Sequence, residues 1–558
     1  MKKKLPVGIS DFEKLISNNY YFVDKSLFIK EVLDSGAAAT LIPRPRRFGK
    51  TLNLSMLKYF FEKQEKTKKH LFDNLAISKE LACMDEQGKY PVIFLTFKDI
   101  KDMNWDECYE SMTKIIGKEF SRHKYLLESS VLQAFEKKEF TQIMDSTANI
   151  SSYKRALQLL SFYLNGYHKQ KTIILIDEYD VPIHSGFINK YYDQVTNFMR
   201  IFLSGGLKDN SDLKFSVLTG ILRVSKESIF SGLNNLKVCA LLNDLYSDKF
   251  GLLENDVQTL VAYYQLNSNF EQIKEWYNGY AIGNNTIYNP WSIINFADNK
   301  GAFQPYWINT SDNLIIQELI KNGSDELKED MELILSDKKV SKPVYENIAF
   351  QNIFRNTDVL WSFLLFSGYL TFENKELRDA KTHVDLKIPN VEVKDFFNTV
   401  ILDWFSCIGE RRYNEILESL VTGNIKTFSI TFKDFVVKSF SYFDVSGNEP
   451  EKFYHAFVLG ILVSLNKTHQ IKSNRESGYG RYDVMIIPND KNKPGVIIEF
   501  KKVYKDENET MEQAAKQALR QIEEKKYWQE LNDMGIKNVV KLAIVFDGKS
   551  VLIKSDIN

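Results

Sequence analysis

The sequence predicts an α/β protein of several domains, and three observations carry that expectation. Apolar runs of strand length, AATLI at 38–42, PVIFLTF at 91–97, TIILIDEYD at 172–180 and FSVLTGIL at 215–222, are separated by segments with helical spacing, which is the pattern of a parallel sheet. The first run leads through a basic loop into a helix, LNLSMLKYFFEKQ, with Leu54, Leu57, Phe60 and Phe61 on one face. The last stretch of the chain changes character and reads helix, strand, strand, helix, strand: EKFYHAFVLGILVSL, RYDVMIIP, GVIIEFKKV, a charged helix near 507–532, and VVKLAIVFDG.

The remaining segments fill in the order. A helix is expected near 75–83, a long helical region over 105–165, and a mostly helical stretch over 240–395 with turn-like patches WYNGYAIGNN and YNPWS. That stretch reads as a lid and connector. Turn chemistry in YFDVSGNEPEKF at 442–453 precedes the C-terminal unit. The expected division is 1–238, 239–395 and 396–558.

Bulk properties narrow the class. A chain of 558 residues with 44% apolar and 13% aromatic content fills several cores and is not disordered on a large scale. Its net charge is zero, which argues against a passive DNA-coating protein but not against an enzyme with a local basic groove. The four cysteines, Cys83, Cys108, Cys239 and Cys407, form no CxxC pair and fit a reducing cytoplasm. Asp11, Glu13 and Lys14 interrupt the N-terminus before any signal-peptide core. No long uncharged apolar run appears, so no membrane span is expected, and a cytoplasmic location follows.

The loop after the first strand is RPRRFGKT. Gly49, Lys50 and Thr51 match the end of a P-loop, in which glycines let N–H groups wrap phosphate, the lysine reaches the terminal phosphates and the hydroxyl binds Mg²⁺. The first glycine is replaced by Arg44, followed by Pro45, Arg46, Arg47 and Phe48. The loop is basic and stiff, and Arg44, Arg46 and Arg47 join the candidates for holding ATP phosphates. Further on, a hydrophobic strand ends in Asp177-Glu178: Asp177 is placed to hold Mg²⁺, and Glu178 to activate water. Thr219 ends the next strand, where it can sense the γ-phosphate, with Arg223 after it. A strand cap and a surface arginine are the plainer reading of those two.

RPRRFGKTLNLSML, ILIDEYDVPI, LTGILRVSKESIFSGLNNL, WYNGYAIGNNTIYNPWSI and PYWINTS together resemble the bacterial AAA-ATPase-like family, often fused to a PD-(D/E)XK nuclease. The resemblance covers about residues 5–310. It implies a P-loop ATPase core over 1–238 with a helical lid over 239–395, and ATP and Mg²⁺ as ligands; the ATPase domain could also form homo-oligomers, a state the sequence leaves open. The family itself carries the RPRRFGKT form, so Arg44 is not peculiar to this chain.

In the C-terminal unit, Asp483 in RYDVMIIP precedes Glu499-Phe500-Lys501 in VIIEFKK by one strand. That is the PD-(D/E)XK pattern. Two carboxylates on adjacent strands hold Mg²⁺ or Mn²⁺, which lowers the pKa of a bound water and offsets charge at the phosphorus. Glu499 and Lys501 are two apart and so face one side of a strand, and charges on a strand this apolar need a reason. SNRESGYGRYDVMI, GVIIEFK and ALRQIEEKKY are similar to the nuclease domain that accompanies this ATPase family, over about 450–546 within the 396–558 segment. That match implies Glu451, Glu476 and Gln521 as accessory site residues; a helix N-terminal charge, a turn residue and a solvated helix position are their plainer alternatives. His184 and His455 do not form a metal pair.

The expected function is an ATP-regulated, Mg²⁺-dependent nuclease acting on nucleic acid, DNA in the first place, and the resemblance implies a role in defence or mobile-element biology. The alternative is a nucleotide switch or scaffold whose nuclease-like domain binds nucleic acid or protein without cutting. The joint presence of Lys50, Thr51, Asp177, Glu178, Asp483, Glu499 and Lys501 favours the enzyme. A metabolic kinase would leave the ExK unit unexplained.

Overall fold

The structure is a computed structural model and describes residues 2–63, 68–224, 235–308, 314–321, 323–348, 350–353, 356–403, 409–443, 450–477, 480–503, 509–547 and 550–556. The fold is α/β. It falls into two compact units, one made of residues 1–312 and 341–393, the other of 313–340 and 394–558. The expected lid and connector, 239–395, is therefore shared between them.

The first unit is built on a parallel sheet. Its strands are β1 (Ala39–Pro43), β2 (Val92–Thr96), β3 (Thr172–Asp177), β4 (Leu213–Gly220) and, past a two-residue β5 (Arg223–Val224), β6 (Leu236–Val238). The spatial order is β2-β3-β4-β1-β6, and every pair is parallel. All residues of β1 and β3 are buried, as expected of central strands covered by helices on both faces. The helix Lys50–Phe61 follows β1 and buries Leu54, Met56, Leu57, Phe60 and Phe61 in a core with Phe12, Phe72 and Phe215. Side-chain caps from Asn104 and Asn149 start the helices Trp105–Arg122 and Ile150–His168, each accepting an otherwise unpaired N–H. Because β4 separates β1 from β3, the carboxyl ends of all three lie side by side. Ligands of open α/β sheets bind at such ends.

The stretch after β6 is less helical than its apolar spacing predicts. It contains the hairpin β7 (Tyr280–Ile282) and β8 (Asn285–Ile287). It also holds β9 (Val340–Pro343), β10 (Asn347–Ile348), which pairs with β5, and the antiparallel β11 (Thr371–Arg378) and β12 (Lys381–Lys387). The β11–β12 turn uses Asp379 and Ala380, both at positive φ. No Asn-Gly or Asp-Gly marks it, and β11 is exposed from Glu373 onward, so the usual hairpin signals are missing.

The second unit carries a mixed sheet in the order β13-β14-β15-β16-β17: β13 (His469–Ser477), β14 (Gly480–Pro488), β15 (Gly495–Lys502), β16 (Val539–Asp547) and β17 (Ser550–Ser555). Only β15 and β16 are parallel, and a parallel pair needs a long crossover. The helix Met511–Glu524 provides it, opened by a capping box between Thr510 and Gln513. Ala514, Ala515 and Ala518 pack on Ala543 and Val545, so small side chains bring this helix close to the sheet. Among the described residues no helix is long and apolar enough to cross a membrane.

Candidate functional sites

The first site lies at the carboxyl ends of β1, β3 and β4. Gly49 caps the helix Lys50–Phe61 with φ +80°, and Arg47 is also left-handed at φ +67°. Such alternation turns successive backbone N–H groups toward one side, an arrangement that attracts anions. Lys50 is 3% exposed, and its Nζ donates to the carbonyls of Arg44 at 3.1 Å and Pro45 at 2.9 Å. Burial pulls its pKa down, opposed by the charges of Glu178, Asp180 and Asp177. An ammonium taken out of water and held only by two neutral carbonyls suits an anionic ligand such as a phosphate.

Asp177, fully buried, accepts three hydroxyls: Thr51 at 2.8 Å and Thr96 at 3.1 Å on one oxygen, Thr219 at 2.8 Å on the other. Burial first, and the Glu178 charge second, push its pKa up. A divalent cation beside Thr51 would reverse that cost, so the donor set fits the ion. Glu178 adopts φ +51°, a strained value for a side chain of this kind. It lines a cleft of about 460 Å³ together with Arg46, Arg47, Gly49, Lys50 and Thr51.

Arg44, expected at the phosphates, and Arg223, named as an accessory residue after Thr219, sit elsewhere. Arg44 is fully buried; its guanidinium donates to the carbonyls of Pro43 (2.8 Å) and Cys239 (2.7 Å) and lies over Phe250. Its backbone N–H still donates to the Gly220 carbonyl of β4 at 2.9 Å, so the first-glycine position here extends the β1–β4 pairing and does not open the loop. Arg223 lies on β5, outside the lining of the cleft. Conversely, Asp180 is a buried carboxyl group whose charge reaches Lys50 and Glu178 and which the sequence reading does not single out. It is 3% exposed, accepts the N–H groups of Ile221 (2.7 Å) and Leu222 (3.0 Å), and its Oδ1 has no hydrogen-bond partner among the described residues. Burial pushes its pKa up to about 6. Its close neighbour is Gly220, where an added Cβ would fall 2.6 Å from Oδ1. The spaced acid of DEYD and the glycine of LTG were the only signals for it.

The second site is on β14 and β15. Asp483 accepts the Phe500 N–H at 2.7 Å, which fixes its carboxylate against β15. Glu499 is 3% exposed. Burial and, next, the charge of Asp483 hold its pKa well above the usual carboxylate range. Lys501 Nζ stands 3.7 Å from Glu499 Oε1. Gln521, on the crossover helix, bridges the two: its amide donates to Glu499 Oε1, and its carbonyl accepts from Lys501 Nζ at 3.0 Å. Tyr527 Oη is 3.3 Å from the same amide nitrogen. Glu499 Oε2 is buried without a hydrogen-bond partner among the described residues. Two coupled carboxylates, one with an orphaned buried oxygen, fit a divalent cation, and Mg²⁺ commonly takes one or two carboxylates and keeps several waters. Among the described residues no group of three or more His, Cys, Asp or Glu has metal-binding geometry, and Asp483 and Glu499 are the carboxylates they bring to this site. Glu451 lies on the helix Pro450–Leu465 and Glu476 on β13 opposite Arg481; their side chains fall outside the described residues, as does that of His455.

Comparison with known proteins matches the two stretches of chain that carry these clusters. Residues 6–230 match the family model described as "Predicted AAA-ATPase", and residues 449–556 match that of the PD-(D/E)XK nuclease superfamily. An uncharacterized protein in the vnfD 5′ region of Azotobacter chroococcum mcd 1 is 26% identical over 413 residues, covering 72% of this chain and 70% of its own. A solved structure, the Walker-type ATPase PABY2304 of Pyrococcus abyssi, aligns with 71% of this chain and 98% of its own at 14% identity and a TM-score of 0.34.

Proposed function

From a chain that joins an AAA-ATPase-like domain to a PD-(D/E)XK nuclease-superfamily domain, we propose an ATP-regulated, Mg²⁺-dependent nuclease that cuts DNA, in a defence or mobile-element setting. The observation that carries the reading is the Asp483–Glu499–Lys501 cluster, with one buried Glu499 oxygen unpartnered. Charges buried on an apolar strand without full pairing destabilise a fold unless a ligand completes them.

In the ATPase domain, the N–H groups around Gly49 and the Lys50 ammonium would hold the β- and γ-phosphates. Thr51 and Asp177 would hold Mg²⁺. Glu178, beside them in the cleft, takes the proton of the water that attacks the terminal phosphorus. In the nuclease domain Asp483 and Glu499 would hold Mg²⁺ or Mn²⁺. That ion, when bound, supplies Lewis acidity and eases deprotonation of water at neutral pH. Lys501 stabilises negative charge on the scissile phosphate, and Gln521 keeps Lys501 and Glu499 apart in fixed orientation.

The test is incubation of the purified chain with plasmid and Mg²⁺, with and without ATP, beside Lys501→Ala and Glu499→Gln. Cleavage by wild type alone, altered by ATP, supports the proposal. Undiminished cleavage in both variants would locate the activity elsewhere, and ATP binding without any cleavage would leave a nucleotide switch.

A further inference from the structure

Three sequence motifs have no part in the chemistry above: WYNGYAIGNN, YNPWS and PYWINTS. Each delivers one aromatic residue to one of three consecutive residues of the phosphate loop. Tyr280 meets the Phe48 ring edge-on, with centroids 5.0 Å apart. The Arg47 guanidinium lies 4.3 Å from the centroid of the Trp291 ring. The Trp307 indole N–H donates to the Arg46 carbonyl at 3.1 Å.

The two tryptophans share a support. Glu392 is fully buried. One of its oxygens accepts the backbone N–H of Trp307, and the other accepts the Ser292 hydroxyl at 2.8 Å. Ser292 follows Trp291 on the helix Pro290–Asp298. A single carboxyl group therefore sets the register of both rings against the loop.

The loop needs such a brace. It lacks the first glycine, and it holds Arg47 in the left-handed region, a strained conformation for a residue with a side chain that persists only where its surroundings over-determine it. The Trp307 bond has a further geometric effect. A trans peptide is planar, with C=O and N–H on opposite sides. Tying the Arg46 oxygen to Trp307 thus turns the Arg47 N–H away from Trp307. Arg46 and Arg47 line the cleft, and Trp307 does not, so the N–H turned from the indole faces the side on which phosphate would lie.

We propose that Tyr280, Trp291 and Trp307, registered by Glu392, form a clamp that presets the peptide orientations of the Arg46–Gly49 loop for phosphate, with Trp307 as the positioning residue. The clamp rests on the reading of this cleft as the ATP site. It replaces the conformational role of the missing glycine: orientations that a glycine-rich loop reaches through permissive backbone are here imposed from outside by a hydrogen bond and two ring contacts.

Trp307→Phe in the full chain tests it, because the donor is lost while an aromatic ring remains to face Tyr280 and Tyr369; the smaller ring also gives up some buried packing, which the turnover readout below separates from the loss of the bond. Calorimetry with ATP and with inorganic tripolyphosphate, each with Mg²⁺, should show both weakened by the same factor, roughly 3- to 10-fold, as befits one neutral hydrogen bond. In turnover the change should appear in KM for ATP, with kcat held within about twofold. A general loss of structure would lower the active fraction and kcat instead. If Trp307→Phe does not fold, Ser292→Ala, which loosens Glu392, should weaken both ligands by at least about twofold. Unchanged affinities for both ligands, in a protein where Lys50→Ala abolishes them, would overturn the clamp and leave the ATP site standing. Wild type that binds neither ligand would overturn both.

Discussion

Glu392→Gln should flatten the pH dependence of stability of the ATPase-like unit. Glu392 is fully buried, and burial pushes its pKa up to about 7 from an ordinary 4.5, against the hydrogen bonds it accepts from Trp307, Ser292, Ile308 and Tyr306. All four donors are neutral. The titratable groups that feel its charge are the phenols of Tyr277, Tyr280 and Tyr306, themselves pushed further up and silent at neutral pH. The folded state therefore holds a proton that the unfolded state releases between those two values. The stability this contributes is fully present below pH 4.5 and is lost as pH rises through 7. At 1.36 kcal/mol per pH unit, the loss amounts to about 3 kcal/mol. Glutamine has the shape of the protonated acid and cannot ionise. It keeps an acceptor for the Trp307 N–H, and its amide can donate to the Ser292 oxygen. Asp180 has a pKa raised in the same sense but is present in both proteins, so the difference between them isolates Glu392. Thermal unfolding of wild type and variant from pH 5 to 9 supplies the measurement. The variant should gain on wild type by about 2.5 kcal/mol across that range, the rest of the loss falling below pH 5. Parallel curves would refute the assignment of the buried proton.

Lys50→Ala should remove measurable ATP binding by calorimetry, since no other ammonium bonds the carbonyls of the loop among the described residues. Glu178→Gln should keep ATP bound and slow its hydrolysis by two orders of magnitude or more, read as phosphate release, because Thr51 and Asp177 remain to hold the ion. Glu499→Gln should abolish metal-dependent cleavage while leaving the fold intact by circular dichroism, because the amide keeps the shape of the buried side chain but cannot serve as an anionic ligand for the ion. Gln521→Leu breaks two hydrogen bonds to charged groups, each worth about 1.5–3 kcal/mol; the cleavage rate should fall roughly 10- to 100-fold with the substrate KM little changed.

The parts of both sites that could be read in the chain are those whose chemistry is local. GKT at a strand-to-helix junction and an acid pair ending a buried strand are patterns over a few residues, as is ExK on an apolar strand. The parts that escaped depend on distant packing. Arg44 was read as a phosphate ligand because its position in the loop is visible; its core-facing contacts with Cys239 and Phe250 lie almost two hundred residues away in sequence. Asp180 and Trp307 looked like ordinary members of polar or aromatic stretches until strand order brought Gly220 and Arg46 to them. Glu392 opens an amphipathic helix, where an acid is expected as a helix N-terminal charge, and nothing local shows that it is buried. The β11–β12 hairpin was missed for a different reason: alternation of apolar and polar residues fades on a strand exposed over most of its length.

The chain passes between its two compact units three times, after Asp312, Val340 and Val393. Each unit is thus sewn from two separated stretches, and the helices Leu314–Lys321 and Asp325–Leu335 belong with the sheet that begins more than a hundred residues later. During synthesis these helices emerge before any strand of that sheet exists. They must wait, with their apolar faces uncovered, while the ATPase-like unit itself stays incomplete until residue 393 has left the ribosome. No contiguous cut at a crossing yields two whole units: a cut after Asp312 or after Val393 leaves one unit short of a piece, and a cut after Val340 leaves both short. The nuclease-like sheet is then assembled last, on a chain whose ATPase-like unit is already whole, which gives the order of biogenesis a built-in sequence: the part that would bind ATP is finished before the part that would cut.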